Sequence, residues 1–69
     1  MSYKVTETIT DNGKVVKKSI FEFETESAMK RGVSDLKIKF NEERFAAVLN
    51  GRGILYANME QHISVKNLQ

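Results

Sequence analysis

The clearest pattern in the chain is an alternation of apolar and polar residues in two runs, residues 3–10 and 14–24, on either side of Asn12-Gly13. A period of two is typical of strands that bury one face. An Asn-Gly pair between two such runs is the strongest short-range signal for a β-hairpin. The apolar positions that define the pattern are Tyr3, Val5, Ile9, Val15, Phe21 and Phe23. The sequence therefore predicts a β-hairpin over residues 3–24.

Two pairings of the hairpin strands are compatible with this turn. A two-residue loop at Asn12-Gly13 pairs Thr10 with Val15 and places the apolar sets of the two strands on opposite faces. A three-residue loop, with Gly13 in the left-handed region, pairs Thr10 with Lys14 and gathers the apolar residues on one face. Because a slip of one residue exchanges the two faces of a strand, we expect the second register.

The expected register makes the opposite face of the hairpin basic and rich in threonine. This face carries Lys4, Thr6, Thr8, Thr10, Lys14, Val16, Lys18, Ile20 and Glu22. It is the first candidate for a working surface. The alternative interpretation is that lysine and threonine simply cover the solvent side of a sheet, as they commonly do.

Two short helices are predicted after the hairpin. The first covers residues 25–31, with Thr25 or Ser27 as its N-cap and Gly32 as the residue that ends it. The second covers residues 42–49, where acidic residues favour a helix start and alanines favour the helical conformation. Its apolar residues Phe45, Val48 and Leu49 lie on one side, as expected for packing on a sheet.

The remaining pattern predicts three more strands. These are residues 35–40, 54–57 and 62–65, with residues 58–61 as the connection between the last two. Residues 66–69 are expected to fray. The predicted fold is an α+β domain over residues 1–69, in which the hairpin is extended into a mainly antiparallel sheet with two short helices on one face.

Two alternatives remain open for the second half of the chain. One long helix over residues 26–49 also fits, because Met29, Val33, Leu36 and Phe40 form a helical stripe. The glycine within that stretch and its β-branched residues weaken this interpretation. Asn50-Gly51 could also close a second hairpin between residues 46–49 and 53–56 instead of ending a helix.

Composition narrows the class of protein. The chain has 69 residues, 41% of them hydrophobic, a formal charge of +2 and no cysteine. The absence of cysteine excludes a disulfide framework and a thiolate nucleophile. No apolar run approaches the length of a membrane span, so we expect a cytoplasmic protein without a membrane partner. A chain of this size gains stability by self-association, so we expect a homodimer.

The residues give little support for catalysis or for a bound cofactor. The one histidine, His62, lies two residues from Glu60, and the two would share a strand face, but a third metal ligand is not evident. Gly51-Arg52-Gly53 lacks the length and the Lys-Ser/Thr of a phosphate-binding P-loop. We expect no enzyme activity, no catalytic residues, no metal and no cofactor.

The function that the pattern favours is that of a small non-catalytic binding or regulatory protein, acting as a homodimer through its basic hairpin face. Nucleic acid is the first candidate ligand, since a two-stranded ribbon can enter a major groove. The candidate contact residues are Lys14, Lys17, Lys18, Lys37, Lys39, Arg52 and Tyr56. The alternative is a protein-interaction adaptor or inhibitor subunit that uses a sheet edge or an apolar hairpin face, with Val16 and Ile20 at the partner or dimer interface.

Overall fold

The computed structural model describes residues 2–68 and arranges them in two layers, a three-stranded sheet and a long helix. The elements in chain order are β1 (Ser2–Asp11), β2 (Lys14–Phe23), α1 (Glu26–Leu49), a 3₁₀ helix (Gly53–Tyr56) and β3 (Met59–Leu68). The strand order is β2-β1-β3, and β1 is antiparallel to both neighbours. The predicted α+β class, the N-terminal hairpin and the antiparallel sheet are confirmed.

The hairpin closes through a two-residue loop, so the predicted three-residue loop is wrong. Asn12 has φ 56° and Gly13 has φ 85°, and positive φ at both central residues is the signature of a type I′ turn. Thr10 consequently pairs with Val15. This turn twists the same way as the strands it joins, which favours it over the longer loop.

A β-bulge then brings Phe21 and Phe23 of β2 to the same face of the sheet as the apolar residues of β1. The register shifts between Ile9 and Thr10: Ile9 pairs with Lys17, while Thr10 pairs with Val15, so that Val16 is the extra residue. After the bulge Val5 lies opposite Phe21. The predicted sharing of one face by Tyr3, Val5, Ile9, Phe21 and Phe23 is therefore correct, although it arises from a bulge and not from the loop length. The prediction is wrong for Val15, which pairs with Thr10 and lies on the opposite face.

Helix α1 is continuous, so the two predicted short helices and the predicted strand at residues 35–40 are wrong. The alternative of one helix over residues 26–49 is the one found. Side chains at helical spacing on its sheet side are half-buried, and these are Met29, Val33, Leu36 and Phe40. Ile38, which completes the apparent strand alternation, is half exposed on the other side of the helix. A helix with apolar residues on two faces thus resembles an alternating strand in sequence.

Gly32 lies in the middle of α1 and does not end it. A Cβ atom at this position would overlap the ring of Phe23, with ring atom Cε1 at 2.8 Å and Cζ closer still. Glycine is needed here because the helix approaches the sheet closely, which outweighs its poor helix propensity. The predicted N-cap is confirmed at Thr25, whose Oγ1 accepts a hydrogen bond from the Ala28 N–H at 3.1 Å.

The segment after α1 also differs from the prediction. The expected strand at residues 54–57 is a 3₁₀ helix, and the possible second hairpin is absent because residues 46–49 are helical. The strand predicted at residues 62–65 is confirmed but is longer at both ends. It pairs with the whole of β1, from Ser2 opposite Leu68 to Asp11 opposite Met59. The predicted fraying is therefore wrong for residues 66–68, and Gln69 lies outside the described residues.

The core is small and is centred on β1. Within residues 2–68, Val5 and Ile9 are the buried apolar side chains, and no residue of α1 is buried. Glu7 lies between them and is 5% exposed. No helix in this part of the chain has the length and apolar character needed to span a membrane.

The carboxylate of Glu7 is held by Gln61, an interaction that the sequence did not reveal. Gln61 Nε2 donates a hydrogen bond to Glu7 Oε2 at 2.7 Å and another to the Leu36 carbonyl oxygen at 3.0 Å. One amide group therefore links β1, β3 and α1. A buried carboxylate is tolerated because a donor satisfies it in this way.

We expect Gly32→Ala to destabilise the protein. Alanine in an open helix position would stabilise by about 1 kcal/mol, whereas overpacking against Phe23 costs about 1–3 kcal/mol. The net change in the free energy of unfolding should be a loss of about 1 kcal/mol or more, measured by urea denaturation at fixed protein concentration.

Two matched variants complete the test of Gly32. Ser34→Ala, at an exposed position of the same helix, should change stability by no more than about 0.5 kcal/mol. Phe23→Leu combined with Gly32→Ala should be less destabilised than the two single changes added together. A Gly32→Ala protein as stable as the parent would show that the helix does not approach the sheet closely here.

A second prediction concerns the buried carboxylate. Gln61→Leu should destabilise by about 1–3 kcal/mol, because it removes a donor and leaves a buried acceptor unsatisfied. Glu7→Leu combined with Gln61→Leu should recover most of that loss, since apolar residues of similar size leave no polar group unpaired. The double-mutant cycle is measured by urea denaturation, and additive effects would refute the coupling of Glu7 with Gln61.

Candidate functional site

Helix α1 covers one face of the sheet and leaves two surfaces uncovered. The first, here called the polar sheet face, is the side of the sheet away from α1. It consists of Lys4, Thr6, Thr8 and Thr10 of β1, Lys18, Ile20 and Glu22 of β2, and Glu60, His62, Ser64 and Lys66 of β3. The second, here called the apolar helix face, consists of Ile38, Phe45, Val48 and Leu49 of α1 with Ile54 and Leu55 of the 3₁₀ helix.

Strand pairing sets the geometry of the polar sheet face. Lys4 in the central strand pairs with Glu22 on one side and Lys66 on the other, and Thr8 pairs with Lys18 and His62. Directly paired residues on one face are close enough for their side chains to act on the same group. The result is a row of hydroxyl groups along β1, with ammonium groups on all three strands and the carboxylates of Glu22 and Glu60 on the two outer strands.

The chemistry of this face suits a phosphate backbone better than a base. Lysine, threonine and serine side chains are among the usual donors to phosphate oxygens. Stacking on a base requires an aromatic ring, and Tyr3 and Phe21, on the neighbouring odd positions, belong to the helix side of the sheet. Ile20 and the nearby Val15 add an apolar margin along β2, where both side chains are more than half exposed.

His62 and Glu60 share the polar sheet face, as predicted. Their closest atoms, His62 Nε2 and Glu60 Oε2, are 3.6 Å apart, and both side chains are exposed. Within residues 2–68 no group of three or more potential metal-ligating side chains is brought together.

The structure does not bring all the predicted contact residues to one surface. Lys18 lies on the polar sheet face, in the same strand and on the same side as Ile20. Lys17 and Lys39 lie on the helix side, where both line a small groove beside Phe40. Lys14 directly follows the hairpin turn, opposite Asp11, and exposed Val16 occupies the bulge.

The other predicted contact residues lie on α1 and on the segment that follows it. Lys37 is exposed on the helix, and Arg52 is exposed just before the 3₁₀ helix. Tyr56 is half-buried, and its ring meets that of Phe40 edge-on at a centroid distance of 6.1 Å. Packing of this kind, extended by Arg44 above Phe40 at 6.0 Å, gives Tyr56 a structural role in holding the 3₁₀ helix to α1.

Sequence reasoning missed Lys66, because the chain end was expected to fray. The alternation of His62, Ser64 and Lys66 with Ile63 and Val65 was a signal that could have extended the strand. Lys4 was placed on the correct face of the hairpin but was not chosen as a contact residue.

The apolar helix face is the most exposed hydrophobic surface of the described chain. Ile54 is 83% exposed, Leu49 70% and Phe45 64%, and the other three members are each exposed by half or more. A groove of about 820 Å³ runs between α1 and the 3₁₀ helix and is lined by Phe45, Val48 and Tyr56 among others. A group of exposed apolar side chains of this kind is typical of an interaction site.

Comparison with known proteins finds no match to a family model, to a curated protein or to a solved structure. A function is therefore inferred from the two uncovered surfaces.

Proposed function

We propose that this chain is a small non-catalytic binding module that acts as a homodimer in the cytoplasm. Its polar sheet face contacts the phosphate backbone of a nucleic acid. The observation that carries the proposal is the alignment of Lys4, Lys18 and Lys66 with the hydroxyl row of β1. The absence of cysteine is consistent with a reducing compartment.

The dimensions of the face suit an extended ligand. Lys4 and Thr10 are six residues apart on β1, which corresponds to about 20 Å along the strand. Three strands at a spacing of about 4.8 Å give a face wide enough for one phosphate backbone with its flanking sugars. The threonines of the central strand are half-buried, and Thr8 lies directly beside Lys18.

The net charge of the chain is only +2, so we expect its affinity for a nucleic acid to be low. Contacts to the backbone carry no sequence information, so the binding should be tolerant of sequence. Three lysines that each neutralise one phosphate give a slope of about −2.7 for log K against log salt with duplex DNA, and about −2.1 with single strands. The affinity should therefore be low and steeply dependent on salt.

The surface area of the chain supports the homodimer in this proposal. The accessible surface is 5204 Å² for a mass of 7.9 kDa, whereas a folded monomer of that mass exposes about 4,400 Å². The chain therefore buries less of its surface than a monomer of its size usually does, and a second copy would cover part of the excess of about 800 Å².

A protein partner is the second candidate, and the sheet edges favour it. Strands β2 and β3 each pair on one side only within the described chain, so both offer backbone donors and acceptors to an added strand. Strand β3 has ten residues and pairs with β1 without a register shift, which makes it the more regular edge. Binding at such an edge would depend little on salt.

We expect replacement of Lys4, Lys18 and Lys66 together by Gln to weaken nucleic-acid binding at least tenfold at 50 mM salt. The salt slope should also fall towards zero, because the phosphate contacts are lost. The measurement is fluorescence anisotropy with a mixed-sequence duplex and a single strand at several salt concentrations.

The matched control for this triple variant replaces Lys17, Lys30 and Lys39 by Gln. It has the same net charge but changes lysines outside the polar sheet face, so its affinity should stay within about twofold of the parent. Equal losses in the two variants would show that only net charge matters. A parent that binds neither nucleic acid at low salt would contradict the proposal and favour a protein partner.

A further inference from the structure

We infer that the homodimer forms through the apolar helix face, with the α1 helices of the two copies side by side and parallel about a two-fold axis. This inference rests on the homodimer proposed above and identifies its interface and orientation. The partner that covers the apolar helix face is therefore a second copy of this chain.

The first support is a seven-residue repeat in the second half of α1. Ile38 recurs as Phe45 and Asn41 as Val48, and these four positions follow the centre of the face that points away from the sheet. Leu49 continues the stripe to the end of the helix. Three of the four residues are apolar and Asn41 is polar. Apolar residues at such positions on one helix are suited to packing against an equivalent helix.

The flanks of this stripe carry opposite charges, which determines the orientation. Lys37 and Arg44 follow one flank at a spacing of seven, and Asp35 and Glu42 follow the other. When two identical helices pack in parallel, the basic flank of each meets the acidic flank of its partner. An antiparallel pair would bring like flanks together, since each flank then faces its own copy.

The parallel arrangement pairs specific residues. Lys37 and Glu42 are five residues apart in sequence, which is the separation of flanking residues that face each other across a parallel helix pair. Lys37 of each copy therefore lies beside Glu42 of the other, and the two-fold axis produces this pair twice. Arg44 is engaged within its own chain, where it lies above Phe40 and donates to Asn41 Oδ1 at 3.3 Å.

The location and extent of the apolar helix face agree with a dimer interface. The chain exposes about 800 Å² more surface than a monomer of its size, so covering this face would bring the buried fraction closer to the usual value. The three most exposed large apolar side chains, Ile54, Leu49 and Phe45, belong to this face. A partner helix against Phe45 and Leu49, with Ile54 at the margin, would cover them and close the adjoining groove.

This interface leaves the polar sheet faces free. Because the apolar helix face points away from the sheet, the two sheets become the outer layers of the dimer and their polar faces point outward. A dimer through Val16 and Ile20 would instead place the second copy against the hairpin strand that carries Lys18. The dimer proposed here can therefore present two nucleic-acid contact faces at once.

The first experiment is sedimentation equilibrium of the full chain and two double variants. The parent should be a dimer, and Phe45→Ser with Leu49→Ser should raise its dissociation constant at least 100-fold. Val16→Ser with Ile20→Ser, the matched control on the hairpin, should change it by less than threefold. Circular dichroism checks folding, which both pairs should preserve because all four side chains are more than half exposed.

The outcomes of this experiment separate the two proposals. A parent that remains monomeric at millimolar concentration would overturn the homodimer itself and this interface with it. A dimer that the hairpin variant dissociates and the helix variant does not would overturn the interface alone. Nucleic-acid binding by the polar sheet face is measured separately and does not depend on either result.

A charge exchange tests the orientation without altering an apolar residue. Lys37→Glu and Glu42→Lys should each weaken the parallel dimer about tenfold at low salt, because each brings like charges together twice. The double variant Lys37→Glu with Glu42→Lys should restore the parent dissociation constant. An antiparallel dimer predicts that Lys37→Glu strengthens association, since it relieves repulsion between two basic flanks, and that result would overturn the parallel arrangement.

Discussion

In the described part of the chain, one helix has to cover a three-stranded sheet, and the other features follow from that constraint. The contact is close because Gly32 admits the ring of Phe23, and it is centred on Val5 and Ile9, the apolar side chains that it buries. Gln61 joins both layers through Glu7 and the Leu36 carbonyl. So small a core leaves one sheet face and the outer side of α1 uncovered, and these are the surfaces at which we propose that the chain meets its partners.

Much of the sheet can be predicted from sequence, because the alternation around Asn12-Gly13 reports burial on one side. The bulge at Val16 cannot be predicted in this way. It leaves Phe21 and Phe23 on the face where a three-residue loop would also put them, so the two arrangements give the same apolar pattern. The helix was misjudged for a physical reason. Leu36 and Phe40 face the sheet while Ile38 faces away, and two apolar faces on one helix give the period of a strand. Gly32 resembled a helix end, although it is required by packing.

The candidate surfaces were partly predictable for the same reasons. The hairpin half of the polar sheet face, with Lys18, followed from the pattern, whereas Lys66 was missed because β3 was expected to end early. Phe45 and Leu49 were correctly assigned to one side of a helix, but the expectation that this side meets the sheet was wrong. Sequence shows that residues share a face; which neighbour covers that face is decided by the tertiary arrangement. A helix longer than its sheet contact thus has a second, outward apolar side, which is the interface proposed for the second copy.

The central claim is that the outer side of α1 packs against the same side of a second copy. The most direct test is an isotope-filtered nuclear Overhauser experiment on a mixture of labelled and unlabelled chains, which records contacts between copies only. We expect contacts between copies from the side chains of Ile38, Phe45 and Val48, with Ile38 close to Ile38 of the other copy, as parallel helices require. Contacts from Val16 and Ile20 instead, or an absence of contacts in a sample that sediments as a monomer, would contradict the account.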